Sequence, residues 1–203
     1  MNNKIKALLG LLAFAVLIVA AVFAYDRLQN EVESPDNLVL LGTEPDTDTE
    51  IQMELETEED TPNPLQQAPD FTVFDMDGNE VSLSDLLGNP FVLNFWTTWC
   101  PSCVLESPYF EQLYLNMGNE VRILKVNLID GQRETRQNVD DFITTHGYTF
   151  PVYFDTTGEA SRAYSVRSIP NTFFINADGY IAARIMGIAR EQTLQAGIDA
   201  ILP

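Results

Sequence analysis

The run Phe91-Val92-Leu93-Asn94-Phe95-Trp96 is followed four residues later by Cys100-Pro101-Ser102-Cys103, and this junction limits the possible folds more than any other part of the chain. Six residues that are apolar almost without a break read as a strand buried on both faces, the pattern of a sheet centre rather than an edge. Pro101 needs no N–H partner and suits the first position of a helix, so a helix is predicted from Pro101 to about Met117. A cysteine just before that start faces unpaired backbone N–H groups and the positive end of the helix dipole. Both favour a thiolate and lower its pKa from about 8.5. Cys103 falls three residues on, on the same helix face, where its sulfur can attack a mixed disulfide formed at Cys100.

Rival uses of the pair are weaker. These are the chain's two cysteines, and both lie within four residues, too few and too local for a disulfide framework. Haem attachment needs a histidine directly after the second cysteine, and Val104 stands there. A structural zinc site needs four ligands, whereas His146 is the single histidine. A static disulfide closing so small a loop gains little from chain entropy. Thiol–disulfide exchange is the reading that uses every feature of the junction.

From Pro69 onward short apolar runs alternate with amphipathic segments, as in an α/β domain spanning 69–203. Phe71 to Phe74 and the flank of Asp77-Gly78-Asn79 are predicted to form an opening hairpin, with a short helix or turn over Ser82 to Leu87. After the Pro101 helix come a strand from Val121 to Leu128, a helix from Thr135 to His146, a strand from Val152 to Phe154 and a short helix from Glu159 to Tyr164. Strands Thr172 to Asn176 and Tyr180 to Met186 are joined at Asp178-Gly179, and a helix from Arg190 to Leu202 closes the domain.

The amino-terminal third has a different character. Lys4 and Lys6 precede an uninterrupted apolar run from Ala7 to Ala24, close to the minimum length of a spanning helix. The positive-inside bias then assigns residues 1–25 to a cytoplasmic tip and a single transmembrane anchor, with all that follows outside. A cleaved signal peptide is the alternative, with Val22-Phe23-Ala24 a tolerable cleavage site, and either reading exports the domain. Residues 26–68 hold 13 acidic residues against one basic one and few aromatics, which reads as a disordered tether with a reach of roughly 40 Å. A partner-binding tail is the other use of such charge. The formal net charge of -19 excludes a nucleic-acid partner, because a phosphate backbone needs a basic surface.

The run Asn94 to Cys103, with Ala68-Pro69-Asp70-Phe71 before it, resembles the thioredoxin-like proteins and within them the membrane-anchored TlpA/ResA group of extracytoplasmic thiol–disulfide oxidoreductases, in the wider AhpC/TSA-like superfamily. The resemblance covers about residues 69–203. It implies a three-layer sandwich, a central mixed β-sheet flanked by helices with an amino-terminal β-hairpin extension. Pro108 matches a proline inside the active-site helix. Ile169-Pro170 matches a loop whose proline is cis and faces the cysteines, with the Ile169 backbone offered to an extended substrate. Glu106, one turn after Cys103, matches a carboxylate beside the redox pair that can take a thiol proton if burial raises its pKa. The plainer reading is an exposed helix charge. Trp99 is expected at the groove edge and Trp96 in the core. The dipeptide Pro101-Ser102 departs from the family, so its reduction potential does not carry over.

The resemblance thus implies an enzyme that uses the Cys100–Cys103 disulfide and no further cofactor or metal. Its expected partners are exported proteins bearing a disulfide, apocytochrome c being one candidate, and a membrane electron donor of thiol–disulfide type; the expected state is a monomer. Two alternatives stand beside it: a thiol peroxidase of peroxiredoxin type, since that family shares the Ala68-to-Phe71 opening, and a non-catalytic module that binds partners through the cis-proline groove.

Overall fold

A computed structural model of the chain describes residues 38–40, 66–118 and 120–202 and places Phe91–Trp96 at the middle of a sheet. Among the described residues the strands are β1 (Leu38–Leu40), β2 (Gln66–Gln67), β3 (Thr72–Phe74), β4 (Glu80–Ser82), β5 (Phe91–Trp96), β6 (Arg122–Asn127), β7 (Val152–Phe154), β8 (Asn171–Ile175) and β9 (Tyr180–Met186). The helices are α1 (Pro101–Met117), α2 (Arg136–His146), α3 (Glu159–Ala163) and α4 (Glu191–Asp199), with a 3-10 turn over Leu83–Leu86. The strand order is β1-β9-β8-β5-β6-β7-β3-β4, with β2 also pairing with β9. β5, β6 and β7 run parallel, and the other pairings are antiparallel, which makes the sheet mixed.

Side chains alternate across β5 and thereby divide the core in two. Val92 and Trp96 join Cys103, Phe110 and Leu113 of α1, Val139 of α2, and Leu194 and Ile198 of α4 on one face. Phe91, Leu93 and Phe95 join Phe71, Leu83, Ala160 and Tyr164 on the other. With both faces covered, every residue of β5 is buried, which explains why its sequence does not alternate. The arrangement is the expected three-layer sandwich. The opening hairpin is present as β3 and β4, paired from Thr72↔Ser82 to Phe74↔Glu80, and it extends the sheet through Phe74↔Phe154. Its turn is closed by Asp75, whose Oδ1 accepts from the N–H groups of Asp77 and Asn79, both at 2.9 Å.

Two differences from the expected organisation appear. Leu38–Leu40 and Gln66–Gln67 fall inside the span read as an acidic tether, yet both pair with β9, so the sheet draws on residues before 69. The triplet Leu38-Val39-Leu40 is apolar, and an acidic average over 43 residues conceals it. The rest of 26–68 and the apolar run from Ala7 to Ala24 lie outside the described residues. Among the described residues no helix is long and apolar enough to cross a membrane. The closing helix α4 is also shorter than expected and ends at Asp199. The chain continues in a tighter turn, in which the Ile201 N–H donates to the Ile198 carbonyl at 3.0 Å and Ile201 is buried.

Gly197 permits α4 to approach β8. A Cβ at this position would lie 2.3 Å from Cζ of the fully buried Phe174 ring. Replacing glycine by alanine inside a helix ordinarily gains about 1 kcal/mol, whereas overpacking a core costs about 1–3 kcal/mol. Gly197→Ala is therefore expected to lower stability, read as a lower urea midpoint with an unchanged slope.

Candidate active site

The end of β5 delivers residues 97–100 to the start of α1. Cys100 is the N-cap residue of that helix, and its Sγ accepts from the Cys103 N–H at 3.2 Å. The two sulfurs are joined in a disulfide with a Cα–Cα separation of 5.2 Å. Cys100 keeps 5% of its surface accessible while Cys103 keeps none, so the first sulfur is the one a partner can reach. Helix α1 continues through Pro108 to Met117 rather than ending early, and the Ser107 hydroxyl donates to the Cys103 carbonyl at 2.8 Å.

The register of β8 on β5, Phe95↔Asn171, brings the residues just before β8 against the exit of β5. The Ile169–Pro170 bond is cis, as the resemblance implies, and the Ile169 carbonyl oxygen lies 3.8 Å from Cys100 Sγ. Ile169 is half-buried and Pro170 buried, while Pro101 and Trp99 are exposed. Trp99 forms an edge beside the disulfide, with the Arg133 guanidinium 3.7 Å above its ring. Trp96 points into the core.

Glu106 is fully buried, which removes the reading of an exposed helix charge. It meets a polar row laid across three strands. The register sets Asn94 of β5 beside Lys125 of β6 and Thr172 of β8. Asn94 Nδ2 donates to Glu106 Oε1 at 2.8 Å and to Thr172 Oγ1 at 2.9 Å, and its Oδ1 accepts from Lys125 Nζ at 2.7 Å. Glu106 Oε2 accepts from the Ala189 N–H at 2.9 Å, and Lys125 Nζ lies 3.9 Å from Glu106 Oε1. Burial pushes the Glu106 carboxyl above the ordinary carboxylate range, opposed by the Lys125 charge and by the hydrogen bonds from Ala189 and Asn94. Burial likewise lowers the Lys125 amine to about 8, with the Glu106 charge pulling the other way. The ammonium sits among rings, 4.1 Å from the centroid of Phe110 and 5.0 Å from that of Trp96.

Sequence reasoning missed Asn94, Lys125 and Thr172, and also Glu134. Glu134 is fully buried and accepts from the Thr98 N–H at 2.8 Å, the Thr98 hydroxyl at 2.7 Å and Asn127 Nδ2 at 2.6 Å. It ties the segment carrying Trp99 and Cys100 to the end of β6. A signal for the buried row did exist: Asn94 interrupts an otherwise apolar strand, and Lys125 interrupts the apolar middle of β6 between Leu124 and Val126.

A family model described as AhpC/TSA matches residues 64–184. The chain belongs to the AhpC/TSA family. It is 36% identical over 137 residues to the thiol-disulfide oxidoreductase ResA of Geobacillus thermodenitrificans, covering 67% of this chain and 76% of that protein. With ResA of Bacillus subtilis the identity is 35% over 137 residues, covering 67% and 74%. Among solved structures, StoA from Bacillus subtilis superposes with a TM-score of 0.57 at 30% identity, over 64% of this chain and 97% of that one. A thiol:disulfide interchange protein of the thioredoxin family from Chlorobium tepidum gives a TM-score of 0.61 at 25% identity, over 70% and 100%. The chain is a ResA-type thiol–disulfide oxidoreductase with a thioredoxin-like fold.

The buried amine of this ResA-type domain makes its stability depend on pH in a stated direction. Lys125 has a folded pKa of about 8 against an ordinary value of 10.5, so between these the unfolded chain binds more protons and folding stability rises with pH. Lys125→Met removes that dependence. Urea unfolding of the disulfide form is expected to show the stability of the parent protein gaining on that of Lys125→Met as pH is raised from about 8 toward 10.

Proposed function

We propose that the enzyme reduces disulfides in exported proteins from a membrane-tethered position outside the cytoplasm, with apocytochrome c as a candidate substrate, and is recharged by a membrane thiol–disulfide carrier. The observation that carries this reading is the Cys100–Cys103 disulfide at the start of α1, with one sulfur reachable beside the cis Ile169–Pro170 loop and the other buried. The apolar run Ala7 to Ala24, preceded by lysines, supports an exported domain. A reductant in an oxidising space needs electrons from elsewhere, since no other thiol exists in the chain.

In the dithiol form, the Cys100 thiolate attacks one sulfur of the substrate disulfide. A Cys100–substrate disulfide forms, and the other substrate sulfur leaves as a thiolate. Cys103 then attacks Cys100 Sγ. Its proton passes to the Glu106 carboxylate, the Cys100–Cys103 bond forms, and the remaining substrate sulfur leaves with the electron pair. The substrate gains two electrons and the enzyme dithiol becomes the disulfide. Ile169 and Pro170 hold the backbone of an extended substrate beside Cys100, and Trp99 with Pro101 forms the opposite edge.

Cys103→Ser is expected to accumulate a mixed disulfide between Cys100 and the natural substrate, identified by mass spectrometry of the trapped adduct, while Cys100→Ser traps nothing. Recovery of no adduct from cells, or a reduction potential in the strongly oxidising range near about −120 mV, would reverse the proposed direction. Glu106→Gln is expected to slow the resolving step by about 100-fold, in the usual range for loss of a general base. Stopped-flow release of a thiol from a Cys100 adduct checks this.

A further inference from the structure

Helix α1 turns a face to solvent that does not match the rest of the surface. Its two acidic residues, Glu106 and Glu111, are both buried, and it holds no lysine or arginine. Glu111 is spent on the loop before β7, accepting from the Thr149 hydroxyl and from the Thr149 and Phe150 N–H groups. What remains outside is Pro101, Leu105, Pro108, Gln112 and Leu115, with Tyr109 and Asn116 beside them. The other helices expose charge: Arg136 and Asp141 on α2, Glu159 and Arg162 on α3, Glu191 and Asp199 on α4. In a chain with a formal net charge of -19, a solvent-facing helix side without a single charge is the exception. Leu105 is 64% exposed and Leu115 60%, more than any other large apolar side chain among the described residues.

This face is continuous with the redox centre. It begins at Trp99 and Pro101, which flank the reachable Cys100 sulfur, and follows α1 for 17 residues. At 1.5 Å per residue that is about 25 Å, a length that suits one side of a standard interface of about 800 Å² per partner. Alongside it, Tyr109, Leu113 and Met117 of α1 and Leu194 and Gln195 of α4 line a groove of about 340 Å³, whose one charged member is Glu191. A protein that reaches Cys100 has to cover the first turns of the face. The uncharged remainder extends that cover without stripping water from an ion. An extended substrate held at Ile169 needs no surface of this length. Exported substrates also differ from one another, whereas the protein that returns electrons is the same in every cycle and suits a fixed surface. A helix that lies on lipid carries lysine and arginine beside its apolar side, and α1 has neither.

We propose that the outward face of α1, with the groove between α1 and α4, is the docking surface for the dithiol protein that re-reduces the Cys100–Cys103 disulfide, and that this carrier meets it with an uncharged, apolar surface. This rests on the reading above that the enzyme is a reductase recharged by a thiol–disulfide carrier. With the carrier seated along α1, one of its thiolates attacks Cys100 Sγ. The Cys100–Cys103 bond breaks, and Cys103 leaves with the electron pair and takes a proton. The carrier's second thiolate then attacks the carrier sulfur bonded to Cys100, the carrier disulfide forms, and Cys100 leaves as a thiolate. The carrier loses two electrons and the enzyme gains them. Leu105, Tyr109 and Leu115 take no part in these bonds and act only by holding the carrier in place.

The test uses the full-length chain in its own cells in place of the parent copy, as Leu105→Glu, Leu115→Glu and a control, Tyr180→Glu, which alters an exposed aromatic on β9. Alkylation of free thiols in acid-quenched cells, read by mass spectrometry, gives the reduced fraction of the pair. The parent pair is expected to be mainly reduced and Tyr180→Glu to match it. In each face variant the ratio of reduced to oxidised protein is expected to fall by about tenfold, as when a charge is forced into the centre of an interface. Dithiothreitol is expected to reduce the purified variants at the parental rate, since Leu115 is about 22 Å along the helix from Cys100. The sign separates the partners. A rise in the reduced fraction assigns the face to the substrate, an unchanged fraction assigns it to neither, and both overturn the proposal. Equal slowing with dithiothreitol overturns it as well, because the effect then lies in the thiols. So does a detergent-solubilised parent chain that sediments as a dimer which Leu115→Glu splits, which assigns the face to a second copy. Trp99 emission that moves to the blue in phosphatidylglycerol vesicles for the parent but not for Leu105→Glu assigns it to lipid, with the same result. A parent pair found oxidised in cells fails the reductase reading itself, and the proposed donor surface with it; a reduced parent with unaffected face variants fails the docking surface alone.

Discussion

The site depends on where one helix begins. β5 is buried along its whole length and ends at Trp96, and α1 starts at Pro101, so Cys100 is held between a rigid strand and the unpaired N–H groups of a helix end. The Cys103 N–H already points at Cys100 Sγ. A negative sulfur at this point is met by oriented donors that are in place before any substrate arrives. The other parts of the site take their positions from the same junction: β8 pairs with β5 so that the cis-proline loop meets its exit, and Glu134 fastens Thr98 in the segment between.

A second constraint comes from below. Helix α1 rests on a sheet face whose central rungs are polar: Lys125, Asn94 and Thr172 side by side, with Glu106 descending onto them. Such a row is unfavourable unless each member is satisfied, and here the ammonium, the amide and both carboxylate oxygens have partners. Glu106 also connects helix to loop. Its Oε2 holds the Ala189 N–H, two residues after Gly187, whose N–H donates to the Pro170 carbonyl at 3.0 Å. The buried carboxylate and the cis-proline loop thus share one short stretch of backbone.

The redox centre and most of the architecture were readable from residues alone because they rest on local rules. Cys-X-X-Cys after an apolar run, a proline at a helix start and Asp-Gly turns between strands each fix their neighbours. The burial of Glu106 was not readable, since helical spacing says which side a residue shares with Cys103 and not what lies beneath that side. The row beneath is a matter of strand register between Asn94, Lys125 and Thr172, up to 78 residues apart in the chain. Glu134 and Arg133 stayed hidden for the same reason, because a loop after β6 reaches Thr98 and Trp99 only once the sheet is assembled. The pairing of Leu38–Leu40 with β9 was obscured by composition, three apolar residues being outweighed by the acidic ones around them.

The most direct test of this account asks which sulfur reacts. The reduced protein would be treated with a limiting amount of iodoacetamide at neutral pH and the labelled peptides quantified by mass spectrometry. With Cys100 at the helix start and accessible and Cys103 wholly enclosed, label is expected on Cys100 almost alone. Equal labelling of the two cysteines, preference for Cys103, or a Cys100 no more reactive than in the unfolded chain would contradict it.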